Sequence, residues 1–232
     1  IVDFFRNYIL EDKLRSARAY RDGLEPFLQS HFAWPEAFRI ECEAVIAGMR
    51  AADVDLLVPE LGRDFGLTDL YAINSYIETG ARRSSCTQFA AWGERTGGTD
   101  VDGGMITGRN MDGECDLRKV TVSHFLLFAV EPSEAGAKRY VSMMWPGFVG
   151  TISGINEDGF YAMENAGTTG PGPVVKDLVP ISWTMREALA RLGGEATAEQ
   201  VKALCDGFGN AVGGSCGPGC VMLFAVPFVG QQ

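Results

Sequence analysis

The chain has 232 residues, 46% hydrophobic and 22% charged, which suits one large globular domain or two small ones. Its formal net charge of −10 repels phosphate backbones and argues against a nucleic-acid partner; the basic pair Arg82-Arg83 is too short to reverse that. No apolar run approaches the roughly 18–20 residues that cross a membrane, and the opening IVDFFRNYILEDK, charged from its third residue, carries no leader pattern and leaves the compartment open.

Residues 1 to about 80 read as helices. In DFFRNYILEDKLRSARAYRDGLEPFL, Phe4, Tyr8 and Ile9 share a side, Leu14 and Leu24 extend the pattern loosely, and Pro26 and Pro35 punctuate it. PEAFRIECEAVIAGMRAAD is a second helix with Pro35 near its first turn; Phe38, Cys42, Val45, Ile46 and Met49 recur every three or four residues as a buried stripe. TDLYAINSYIE is a third, with Thr68 or Asp69 as the expected cap.

From Cys86 the texture changes to strands. CTQFAAWGE and MITGRNMD flank a Gly/Asp loop of hairpin type, RTGGTDVDGG. KVTVSHFLLFAVEP pairs with KRYVSMMWPGF around PSEAGA, and GTISGINEDGFYAMENAG is a further pair turning at NEDG. His124 is expected as a packed strand residue, and Trp92, Trp145 and Phe148 as core, with Trp145 the nearest of them to a pocket. GPGP at 170–173 is read as a rigid connection. ISWTMREALARLGG and TAEQVKALCDGFG are helical, and GCVMLFAVPFVG is one more apolar strand. Helices, antiparallel strands, helices and a strand make an α+β order rather than alternating βαβ units. An exposed apolar strand just before FVGQQ is a poor sheet edge, so further strands of the fold are expected outside this chain.

Six cysteines in a chain this long are too sparse for a disulfide scaffold. Cys216 and Cys220, in GGSCGPGC, leave open a local disulfide, a zinc site lacking a second ligand pair, or ordinary thiols; the last is favoured. Cys42, Cys115 and Cys205 carry no motif. Cys86 differs because it stands at the seam between the two textures, among the small polar residues Ser84, Ser85 and Thr87. A thiol needs a base or a cation to act as a nucleophile, yet the chain has only two histidines, His31 and His124, neither in a catalytic setting. Cleavage between Ser85 and Cys86 would supply the base: an α-amine of pKa about 7.7–8.0 on the same residue as the sulfur. The thiol would attack the Ser85 carbonyl, and water would release the new terminus from the thioester.

CTQFAAWG, GGMITGRNMD and WPGFVGTISGINEDGFYAMENAG, in that order, resemble the cysteine N-terminal-nucleophile (Ntn) hydrolases. The nearest resemblance is to the peptidase family of the acyl-CoA:6-aminopenicillanate (isopenicillin N) acyltransferases, with choloylglycine hydrolases and acylethanolamine amidases further off. It covers roughly residues 36–232. It implies an αββα sandwich of antiparallel sheets flanked by helices, incomplete in this chain. Residues 1–85 would form a helical pro-segment that stays bound as the α-subunit, and residues 86–232 a catalytic β-subunit. It further implies Cys86 as nucleophile and base, Arg109 beside the sulfur favouring the thiolate, Asp112 orienting the terminal amine, and Asn165 in the oxyanion hole, where one donor is worth about 3–4 kcal/mol. Asn156 matches a structural turn position, and a second oxyanion-hole asparagine is expected beyond Gln232. The implied reaction is acyl transfer from a small-molecule, non-peptide amide to water or an amine, without cofactor or metal.

Two readings compete with this one. A catalytically silent relative would stay uncleaved and serve as a binding or structural protein. A thiol redox module would use Cys216 and Cys220 and need neither Arg109 nor Asp112. Taken alone, Arg109 and Asp112 would be a weak surface ion pair, and Cys86 a small packed thiol.

Overall fold

Residues 1–80, 86–111, 122–166, 176–208 and 220–227 are described by a computed structural model. The first helical stretch is not continuous. A π-wound segment, π1 (Phe4–Leu14), buries Phe4, Phe5, Tyr8, Ile9 and Leu10, then stops at Arg15 in the left-handed region. Ser16 restarts the chain by accepting the Ala19 amide, leading into α1 (Ala17–Ala19), π2 (Tyr20–Leu24) and α2 (Glu25–His31), where Pro26 sits in the first turn. Pro35 caps α3 (Glu36–Ala51), which buries Phe38, Cys42, Ile46 and Met49, with Val45 half-buried at the edge of the stripe.

Between the helices lies a ribbon that the helical reading of residues 1–80 did not contain. Strands β1 (Leu57–Val58) and β2 (Arg63–Asp64) pair antiparallel around Gly62, whose φ of +65° suits a residue without Cβ. α4 (Leu67–Asn74) begins at Gly66, not at Thr68 or Asp69. The Asp69 carboxylate, three residues on, accepts the Gly66 amide at 2.8 Å, the Tyr20 hydroxyl at 2.6 Å, and Arg63 Nη1 and Nη2 at 2.6 and 2.9 Å. These donors draw it inward, so it braces the helix start against π2 and β2. α5 (Tyr76–Gly80) follows.

The strand pairs form as their turns predict. β3 (Thr87–Ala91) and β4 (Ile106–Asn110) make a two-stranded ribbon with Gln88 opposite Arg109. β5 (Leu126–Val130), β6 (Tyr140–Met144), β7 (Ser153–Asn156), β8 (Tyr161–Ala166) and β9 (Cys220–Ala225) form an antiparallel sheet in that order. Helices α6 (Ile181–Arg191) and α7 (Ala198–Gly207) intervene between β8 and β9. α6 packs where Leu189 covers Gly154; Met185, Ala188 and Leu189 join Tyr140, Phe160 and Ala162 in a small core. On the opposite face of this sheet Leu127, Met143, Ile155 and Val221 are exposed, as strand alternation requires.

Two further expectations fail. His124 lies exposed on a turn, Val122–His124, before β5 rather than packed within it. The partner strand explains this: β6 ends at Met144 opposite Leu126, so its ladder does not reach residues 122–125. Trp92 is about half exposed where the chain leaves β3 at Gly93. Trp145 and Phe148 are core residues as expected.

The main core crosses the seam in the sequence. Phe4 stacks on Trp145 with centroids 5.6 Å apart, and Phe38, Tyr71 and Ile77 share a cluster with Phe148, Ile152, Ile181 and Trp183. The protein is thus a mixed α+β fold with antiparallel sheets. No helix among the described residues is long and apolar enough to cross a membrane.

Candidate active site

The β3–β4 pairing carries Arg109 to the chain just after Cys86. Cys86 immediately precedes β3, and on that strand Gln88 lies directly across from Arg109. Arg109 Nη2 consequently reaches the half-buried Cys86 sulfur at 3.6 Å. Its Nε donates to the Glu164 carbonyl at 2.8 Å and to Asn165 Oδ1 at 3.1 Å. The guanidinium therefore clamps the start of β3 to β8 and fixes its charge beside the thiol.

Asn165 is buried on β8, opposite Val221 of β9. Because a guanidinium can only donate, its bond identifies the Asn165 atom that faces it as the amide oxygen. The Asn165 Nδ2 is then the donor end, the polarity needed to meet a developing oxyanion. Cys86, Arg109 and Asn165 are thus brought together. Ser85 and Asp112 lie outside the described residues, as do Cys115, Cys216 and residues 170–173.

Asn156, by contrast, is structural. Its Nδ2 donates to the Leu189 and Leu192 carbonyls, and its Oδ1 accepts the Asp158 and Phe160 amides, all within 2.7–3.1 Å. It ties the β7–β8 turn to the end of α6.

Three residues that the sequence reading passed over stand behind the clamp. Tyr76 is half-buried against the main core, and desolvation of its phenol with the nearby Glu164 charge pushes that phenol up; Arg109 and Cys86 are also close enough to act on it. Glu78 is half-buried as a residue, but its Oε2 is sealed from solvent and meets no hydrogen-bond donor among the described residues. Its Oε1 accepts the Ile181 amide at the start of α6, at 2.6 Å. Burial first, and repulsion from Glu164 as a lesser cause, push the Glu78 carboxyl up to about 7. Glu164 is itself buried, next to Asn165. Gln88 Oε1 is another sealed acceptor that meets no donor among the described residues. The sequence offered one weak signal, the adjacency of Glu164 to Asn165; Glu78 looked like an ordinary polar helix residue.

Among the described residues, no group of three or more His, Cys, Asp or Glu side chains is placed to hold a metal ion. No protein-family model matches the chain, and no curated protein matches it.

Proposed function

We propose that the protein is a self-processing amidohydrolase or acyltransferase of the cysteine N-terminal-nucleophile type, acting on a small non-peptide amide. The observation that carries this reading is the convergence on Arg109: one guanidinium binds both the Cys86 sulfur and the Asn165 amide oxygen, 56 positions away. A structural role would not need a cation fixed against a half-buried thiol. The order of helices and antiparallel strands is compatible with the αββα sandwich that the motifs imply, and the β3–β4 ribbon would belong to its second sheet.

Processing begins with the Cys86 sulfur attacking the Ser85 carbonyl carbon. The S–C bond forms, the peptide C–N bond breaks, and the departing nitrogen takes up a proton to become the Cys86 amine. Water then hydrolyses the thioester, returning the thiol and leaving Ser85 with a carboxylate. In turnover the freed amine accepts the thiol proton and passes it to the substrate's leaving nitrogen. Asn165 Nδ2 donates to the tetrahedral oxyanion, Arg109 holds its guanidinium against the sulfur, and Asp112 orients the amine. Water or a second amine resolves the acyl thioester.

Intact-mass measurement of fresh full-length protein beside Cys86→Ala tests this. Two wild-type fragments, the second beginning at Cys86, and one uncut variant chain are expected. A single uncut chain in both, persisting for days at neutral pH, would refute self-processing and favour a silent binding protein.

A further inference from the structure

Gln88 is the neighbour of Arg109 across the β3–β4 ribbon. The two are Cα partners, and residues directly opposite on an antiparallel pair lie side by side on one face. The Gln88 carboxamide therefore stands on the face from which the guanidinium reaches the Cys86 sulfur and the Asn165 oxygen. Gln88 also follows Cys86 by only two residues, which keeps their Cα atoms within about 7 Å of each other.

Gln88 Oε1 is sealed from bulk water and meets no donor among the described residues. Arg109 is rich in donors, yet it directs Nε to the Glu164 carbonyl and Asn165 Oδ1, and Nη2 to the sulfur. Leaving a buried acceptor unmet is costly, so its donor is to be sought in a molecule that enters the site. The rest of the site shows what that donor is. Arg109 and Asn165 Nδ2 are donors; they serve an amide's oxygen and leave its N–H unmatched. Gln88 Oε1 supplies the missing acceptor. As a residue Gln88 is only half-buried, and a turn about its last side-chain bond presents the oxygen to a molecule seated at the sulfur.

We propose that Gln88 is a substrate-binding residue of the Cys86 site: its Oε1 accepts an N–H carried within two bonds of the carbon that the sulfur attacks. It thereby selects amides that bear an N–H over tertiary amides and esters. This deepens the amidase reading and rests on it for its meaning in turnover; the recognition itself needs only the folded site.

Two alkylating probes of nearly equal size test this. Chloroacetamide carries an NH2 group where chloroacetone carries a methyl. With either, the Cys86 sulfur bonds to the CH2 carbon, the C–Cl bond breaks, chloride leaves and the thiol proton passes to buffer. Rates at the Cys86 peptide of full-length protein are followed by mass spectrometry at neutral pH. Each is divided by the rate of the same probe with N-acetylcysteine, which cancels intrinsic reactivity. In the wild type the corrected chloroacetamide rate should exceed the corrected chloroacetone rate about tenfold, the reach of one hydrogen bond. Gln88→Met, of similar length but without the oxygen, should bring the two rates together by slowing chloroacetamide alone; Gln88→Leu takes its place if that chain does not fold. A merely structural role would change both probes alike and leave their ratio standing. Equal corrected rates in the wild type would overturn the proposal, and so would a preference that survives loss of the Gln88 oxygen. The assay does not require self-processing: an uncut chain whose preference depends on Gln88 defeats the amidase reading alone, and a cut chain without the preference defeats the Gln88 role alone.

Discussion

Asn156 offers the sharpest stability prediction because all four of its polar contacts are visible. Asn156→Ala would strip donors from the Leu189 and Leu192 carbonyls and acceptors from the Asp158 and Phe160 amides. The Leu189 and Phe160 bonds are buried, so those groups find no water; the other two are part-buried and regain some. At about 1–3 kcal/mol for each buried group left unmet, the substitution should cost about 3 kcal/mol. Asn156→Asp separates the two halves of the network. One oxygen still accepts both amides, but the other replaces a donor and confronts two carbonyls. The folded state should therefore raise that carboxyl above its unfolded value. Relative to wild type, the variant's stability is then retained at low pH and lost as pH rises through the folded value. Urea unfolding, comparing midpoints at constant slope at pH 5 and pH 7.5, measures both effects. A loss below about 1 kcal/mol for Asn156→Ala, or an aspartate variant equally affected at both pH values, would refute the reasoning.

Asp69→Asn should destabilise by about 3 kcal/mol, the low end for breaking a buried pair because Arg63 keeps some solvent; urea unfolding reads it. Glu78 has its folded pKa raised from the ordinary carboxylate value near 4.5 to about 7, so the wild type is favoured while Glu78 is protonated and loses stability as pH climbs between those values. Glu78→Gln should therefore gain up to about 3 kcal/mol at pH 8 and little at pH 4.5, measured by unfolding at both. Arg109→Lys, which replaces a fork by a single point charge, should slow Cys86 alkylation at pH 7 about tenfold, the loss of one charge-assisted bond worth about 1.5 kcal/mol. If the chain is cut before Cys86, the two pieces should co-elute in native gel filtration and separate only in denaturant.

What was legible in the sequence depended on range. The strand pairs β3–β4, β5–β6 and β7–β8 join segments close in the chain, and their glycine-rich turns announced them. α3 declared itself through the spacing of Phe38, Cys42, Ile46 and Met49. Cys86, Arg109 and Asn165 were legible only through their motif order, since no spacing rule says that a guanidinium will bridge them. The failures share the opposite character. His124 sits in an apolar run that reads as strand, and only the end of β6 shows why pairing stops. β1 and β2, two residues each, fall below any periodic pattern. Asp69 was assigned to a cap because its partners Tyr20 and Arg63 come from other elements. Glu78 was missed for the same reason: the amide it accepts, at the start of α6, is 103 positions away.

The boundary at Cys86 marks a change of texture but not a boundary in the packing. Asn74, on α4, donates to the Gly147 carbonyl and accepts the Val149 amide, at 2.9 and 2.8 Å. Leu178 exchanges backbone bonds with His31 and Ala33, and Arg186 of α6 binds Glu41 of α3 and the Val149 carbonyl. Phe4 and Trp145 stack across the same junction. Breaking one peptide bond before Cys86 removes none of these contacts, so the helical half is held by the core itself and not by the covalent link. It would also stay beside the site, because α5 carries Tyr76 close to Arg109 and Cys86. On the amidase reading, the pro-segment is therefore not spent when it is cut: the residues that set the geometry around the sulfur before cleavage remain in place around the new amine.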